Sequence, residues 1–360
     1  MAGHNWIGIL KPSDASKPAQ PGGCAQCHAG LGAKPNPVGN LVEADYRNID
    51  CLICHAPGYK RTVVKEGDKF RLAPDPAVDV LKAAQAVGKP TGEMCLRCHA
   101  GTGGGPNHKH GVVPTKDSDV HMAKGIECVE CHVAKNHKIP GGADIKAQEL
   151  LEVKVVCENC HEKPHPGEKA EVLGRHLAKV ACQSCHIPAI ARDAKMPTAV
   201  ERDWTKPVLN EKTGLYGPTN KMATNVKPEY HWWNRRMTVP PEPVGSLADG
   251  KSKIFPWKRT DYTVIGDAAS GKAVYIKSGV YAITGDPAAA AKKGAEDAKM
   301  EYSGSWKPVK ETMVFSLNHQ VAPKEQALKC KACHAPDGVI DFRKLGYGEE
   351  KAKTLLSVKE

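Results

Sequence analysis

The chain has 360 residues, enough for one to three ordinary domains, yet only 5% are aromatic while 34 are Gly and 27 Pro. That composition leaves little apolar side chain for several protein-filled cores. No run of about eighteen apolar residues occurs, which excludes a membrane-spanning helix, and the formal net charge of +11 raises nucleic acid as a partner to be weighed.

Residues 1–23 read as a polar, proline-punctuated arm without the charged start and apolar run of a secretory signal. Then comes Cys24-x-x-Cys27-His28, followed by Cys51/Cys54/His55, Cys95/Cys98/His99, Cys128/Cys131/His132, Cys157/Cys160/His161, Cys182/Cys185/His186 and, alone near the C-terminus, Cys330/Cys333/His334. Two cysteines three positions apart reach both vinyl groups of one porphyrin, and the next histidine is carried under the ring to bind iron. A lone copy also suits half a zinc site, a redox dithiol or a disulfide. Zinc pairs give no reason for a histidine after each pair, a thioredoxin-like dithiol needs a βαβ setting, and disulfides need no histidine. Seven motifs consume all 14 cysteines, which predicts seven covalently bound haem c groups. Their roughly fourteen propionates would absorb much of the Lys and Arg surplus, so nucleic acid is not an expected partner.

Between the motifs, Gly and Pro at Gly30, Gly32, Pro35, Pro37, Pro57 and Gly58 mark loops wrapped on porphyrins. Residues 76–87 predict a helix entered at Pro76, with Val80, Leu81, Ala84 and Val87 on one face and Gly88-Lys89-Pro90 as its stop. Gly101–Gly105 reads either as a phosphate-cradling loop, which lacks its Gly-Lys-Ser/Thr, or as backbone approaching a haem. Residues 166–180 predict a second helix with His176 on its apolar stripe, either a core histidine or an axial ligand. From Ile187 to Lys329 no motif occurs and aromatics gather, among them Trp204, Trp232, Trp233, Trp257 and Trp306. Residues 272–284 alternate around Ser278-Gly279 as a hairpin would, Asp286-Pro287 caps an alanine-rich helix to about Lys299, and 312–317 reads as a strand delivering His319. This stretch is either a cover over the haems or a docking surface.

Of 16 histidines, seven belong to motifs and nine remain: His4, His108, His110, His121, His137, His165, His176, His231 and His319. That stock suffices to close every iron between two imidazoles, which suits electron transfer, whereas substrate chemistry wants an open or lysine-bound iron.

The runs Asn48-Ile-Asp-Cys-Leu-Ile-Cys-His55, Lys109-His-Gly111, Asp119-Val-His-Met122, Asn136-His-Lys-Ile139, Val180-Ala-Cys-Gln-Ser-Cys-His-Ile-Pro188 and Asn318-His-Gln-Val-Ala-Pro-Lys-Glu-Gln-Ala-Leu-Lys-Cys330 make the chain resemble the octahaem tetrathionate reductase family, over nearly its whole length. The resemblance implies that His110, His121, His137, His176, His319 and His165 are distal ligands, with His4, His108 and His231 competing for a seventh place. The chain departs from the family in lacking its first motif and its non-haem cysteine. The family's catalytic haem has an axial lysine. Lys60 is the candidate equivalent near the Cys24/Cys27 haem, set against an ordinary solvated lysine.

The predicted fold is a multihaem cytochrome c, mainly α and irregular loops wrapped on a haem stack, with a minor β hairpin in the haem-poor region. One compact body is expected, with a six-haem region at 1–190, a haem-free region at 191–329 and the seventh haem in 330–360. The expected function is electron carriage between redox partner proteins in periplasmic or extracellular respiration, outside the cytoplasm where haem is attached, and this requires a signal absent from the numbered chain. If His4 ligates a haem in a second copy, an oligomer or conductive filament follows. The competing expectation is a reductase of tetrathionate, nitrite or hydroxylamine acting at the Cys24/Cys27 haem.

Overall fold

The computed structural model describes the chain except residues 1–7, 11–12, 15, 18–19, 23–26, 28, 32–35, 37–38, 67–68, 102–104, 106–108, 142–154, 168–169, 239–240 and 358–360. His4, Cys24, His28 and His108, and most of the Gly101–Gly105 loop, therefore lie outside the described residues.

In chain order the strands are β1 (Gly8–Leu10), β2 (Gln20–Gly22), β3 (Arg61–Glu66), β4 (Lys69–Pro74), β5 (Thr198–Asn210), β6 (Leu215–Ala223), β7 (Glu229–Trp233), β8 (Arg236–Met237), β9 (Pro243–Val244), β10 (Lys253–Asp267) and β11 (Trp306–Ser316). The helices are α1 (Glu43–Arg47), α2 (Leu52–His55), α3 (Val80–Gln85), α4 (Gly92–His99), α5 (Val120–Ala123), α6 (Cys128–Cys131), α7 (Ala170–Leu177), α8 (Cys182–His186), α9 (Ser278–Thr284), α10 (Pro287–Ala298), α11 (Cys330–His334) and α12 (Glu349–Leu356). The chain divides into two units, one of residues 1–102, 201–220 and 262–311, the other of 103–200, 221–261 and 312–360.

Strand content is the main correction to the expected fold. Far from one minor hairpin, the motif-free stretch forms a five-stranded sheet ordered β11-β10-β5-β6, with β7 also paired to β10, and β3-β4 makes a separate hairpin in the first unit. Strand β10 is buried along almost its whole length, as a strand covered on both faces must be. Its Pro256 sits opposite Tyr230 of β7, a position where a missing N–H removes one rung of the ladder.

The predicted 272–284 hairpin is also corrected. Ser278–Thr284 is helix α9, ended by Gly285 in the left-handed region at φ 62°. Burial decides this: Tyr281 is fully buried edge-on to Trp204 at 5.2 Å and packs against Ala290, Ala291 and Ala295 of α10, an arrangement that rewards a helical period over alternation. Helix α10 starts as predicted, with Asp286 accepting from Ala288 N and Ala289 N ahead of Pro287. Its Gly294 lies so close to the Tyr275 carbonyl that no side chain fits there.

Helix α3 begins at Val80, not Pro76, because Asp79 caps it by accepting from Lys82 N while Asp75 folds the preceding residues into a turn. Its expected apolar face is not buried: Val80, Leu81 and Val87 are exposed and only Ala83 is covered. The second unit has its own apolar clusters, one around Trp232, Ile254, Phe342 and Leu345, another around Trp233, Phe255 and Trp257. Among the described residues, no helix is long and apolar enough to cross a membrane.

Candidate functional site

Most of the motifs occupy a single short turn of helix, in α2, α4, α6, α8 and α11, or a 3-10 turn at Cys157–Asn159. One turn places the two cysteines on one side with the histidine beside them. The turn is closed by the histidine N–H donating to the first cysteine's carbonyl, at 3.1 Å for His55, 2.8 Å for His132 and 3.0 Å for His161.

Within the second unit, four motif histidines each face a non-motif histidine. The ring centroids are 6.2 Å apart for His161 and His121, 6.2 Å for His132 and His319, 6.0 Å for His186 and His165, and 6.0 Å for His334 and His176. Their interplanar angles run from 14° to 80°. Direct stacking would fix the angle, whereas here the distance is constant and the angle free. Two imidazoles bonded through Nε2 to one metal at about 2 Å each place their centroids roughly 6 Å apart at any rotation. The residues therefore fit a haem iron between each pair.

The far ring nitrogens support the same reading. Nδ1 meets the Gly88 carbonyl from His55 at 2.9 Å, Ser316 O from His110 at 2.9 Å, Pro140 O from His132 at 2.8 Å, Val172 O from His176 at 2.9 Å and Leu355 O from His334 at 2.7 Å. A carbonyl only accepts, so Nδ1 carries the proton and Nε2 is left with the lone pair that a metal takes. Burial, followed by the nearby His165, pushes His186 below its usual range. Among the described residues, no group of three or more His, Cys, Asp or Glu is gathered around one point, as structural zinc would need.

Cysteines of different motifs also approach one another. In the second unit Cys131 lies within electrostatic range of Cys160, as Cys157 does of Cys182, and Cys185 neighbours Cys330 and Cys333. In the first unit Cys98 neighbours Cys27 and Cys54, with Cys27 Sγ 3.9 Å from Cys98 O.

The remaining candidates sit differently. His137 is exposed and lies in the left-handed region at φ 59° in the turn bridged by Lys135 and Lys138. His231, in β7, turns Nε2 toward Glu229 at 3.4 Å and is pushed down by burial. Lys60 is exposed at the head of β3, beside a buried group: the Arg61 and Asp50 side chains, 3.8 Å apart and only 4% and 3% exposed, and Tyr59. Burial and then Asp50 push the Tyr59 phenol above its usual range, so the buried hydroxyl lies beside the Asp50 carboxyl. Arg97 of α4 clasps this loop by donating to Tyr59 O at 2.9 Å.

Sequence reasoning missed the residues that hold the ligands. Asp119, Arg192 and Gln320 form a buried hub. Asp119 Oδ2 accepts from Gln320 N at 2.8 Å and Val321 N at 3.0 Å. Arg192 donates to Gln320 O at 2.6 Å and Ser118 O at 2.7 Å. Gln320 spans Ala191 N and His110 O. The one available signal was an Asp two residues before His121, which reads as a helix cap.

Two family models match the chain: "Cytochrome c bacterial" over residues 195–337 and "Cytochrome c554 and c-prime" over 106–162. An octahaem cytochrome c from Shewanella oneidensis, known from its crystal structure, superposes with a TM-score of 0.68 at 29% identity, covering 96% of this chain and 88% of that one. This is a multihaem c-type cytochrome. It binds haem c covalently, and its function is redox or electron transfer. An uncharacterized protein of Archaeoglobus fulgidus is 29% identical to the cytochrome over 164 residues, 37% of this chain, which spans about half (54%) of that relative's length.

Proposed function

We propose that this cytochrome carries seven haem c groups and serves as an electron carrier between redox partner proteins in periplasmic or extracellular respiration. It would be a seven-haem member of the octahaem tetrathionate reductase family. The observation that carries the reading is the set of four facing histidine pairs in the second unit, whose motif cysteines approach one another in the succession Cys128/Cys131, Cys157/Cys160, Cys182/Cys185, Cys330/Cys333. When bound, haem supplies a reversible one-electron iron couple. In these four pairs the two histidines would hold the iron from both sides, which would leave no place for a substrate and keep the ligand set unchanged between oxidation states. Cysteines close to one another would bring the attached edges of successive sites together.

Electron paramagnetic resonance of the fully oxidised protein tests this. Low-spin iron in all seven haems, with no turnover of tetrathionate, nitrite or hydroxylamine, is the expected result. High-spin iron near one haem equivalent together with turnover overturns it.

A second reading, a reductase centred on the Cys24/Cys27 haem, is favoured by the buried Asp50–Tyr59–Arg61 group beside Lys60, close to Cys54 and Cys98. A filament would need His4 to ligate a haem of a second copy. A cytochrome that remains monomeric at high concentration removes that extension.

A further inference from the structure

His121 differs from five other histidines of the set in what its second nitrogen meets. His55, His110, His132, His176 and His334 turn Nδ1 to neutral main-chain carbonyls, whereas His121 Nδ1 lies 3.2 Å from Oδ1 of Asp119. With Nε2 facing His161 across the haem position, the proton must sit on Nδ1, so the imidazole donates to a carboxylate. This carboxylate is held in place. Its side chain is 6% exposed, Oδ1 also accepts from His121 N at 2.9 Å, and Oδ2 accepts from Gln320 N and Val321 N. Three main-chain N–H donors stabilise its charge, and the nearby Arg192 guanidinium is engaged by the carbonyls of Ala189, Ser118 and Gln320.

A charged acceptor draws the Nδ1 proton more strongly than a carbonyl does, which makes Nε2 a more electron-donating ligand and favours ferric iron. We propose that Asp119 is a positioning residue that lowers the potential of the Cys157/Cys160 haem through His121. The proposal rests on the reading of His121 as an axial ligand.

The test is a spectroscopically monitored redox titration of the full holoprotein carrying Asp119→Asn or Asp119→Glu, with electron paramagnetic resonance at each stage. In the Asn variant one haem of seven becomes at least tenfold easier to reduce, about 59 mV for one electron, and every iron stays low-spin. The Glu variant, which keeps the charge, titrates as the wild type. Unchanged midpoints in a fully low-spin Asn variant overturn the proposal. So does low-spin iron lost in the Asn variant and not restored by Glu, because Asp119 would then be a cap alone. High-spin iron at this haem in the wild type would instead remove His121 as a ligand and with it the underlying reading.

Discussion

Cys157 and Cys182, which belong to different motifs, lie close enough for each to perturb the other. Their motifs are separated by the whole of α7, so this contact belongs to the tertiary fold and brings two attachment points together.

The four facing pairs predict two kinds of low-spin signal. His165/His186 and His132/His319 have planes 14° and 35° apart, while His121/His161 and His176/His334 are at 67° and 80°. Nearly parallel imidazoles split the iron orbitals that overlap with ligand π electrons, and crossed imidazoles leave them nearly equal. Oxidised protein should therefore show rhombic spectra alongside signals with one large g-value. A single uniform rhombic signal would contradict the geometry.

Replacing His176 by Ala should open the Cys330/Cys333 site alone. His176 faces His334 at 6.0 Å and is held by its own bond to Val172 O. The expected outcome is one haem equivalent of high-spin ferric iron, and carbon monoxide binding to one haem after reduction. The same variant with all irons low-spin would show that another side chain closes that site.

Gln320 is 1% exposed and lies in the left-handed region at φ 71°. Substituting Ala strands the Ala191 N–H and the His110 carbonyl, each in a buried setting. Stability should fall by about 2 kcal/mol, read from chemical denaturation. A Gly111→Ala change should act on the same hub, since a side chain at its φ of 91° would meet Gln320 Nε2 at 2.5 Å.

Asp267 accepts from Ser303 Oγ, Ser270 N and Ser303 N, and these bonds hold its carboxyl below its ordinary 3.8. A depressed carboxyl stabilises the fold above its unfolded-state value and loses that contribution as pH falls through the folded one. Asp267→Asn should therefore lower the thermal midpoint at neutral pH, and the gap from wild type should close below about pH 3.8. A gap independent of pH would show that the charge is not what matters there.

The attachment residues were legible because their chemistry is local: a three-residue spacing and a following histidine need no tertiary information. Ligand pairing was not legible, since nothing in the sequence ties His132 to His319 or His176 to His334. The long strands were hidden for another reason. Strand β5 carries Glu201, Arg202, Asp203 and Pro207, and β10 carries Pro256, Lys258, Arg259 and Asp261, so neither alternates cleanly. Lys258 is nonetheless fully buried. Ser278-Gly279 suited a turn as well as the first residues of a helix, and only the buried contact of Tyr281 with Trp204 and α10 decides between them.

The facing pairs also set a timetable for maturation. Each attachment motif is complete as soon as five consecutive residues exist, but the second imidazole arrives on its own schedule. His121 precedes His161 and His165 precedes His186, so those partners are already made when the motif emerges. His132 must wait for His319, which lies beyond the entire motif-free sheet. Among these four pairs, a chain ending before β11 would therefore hold His121 and His165 but lack the second imidazole of the His132 site.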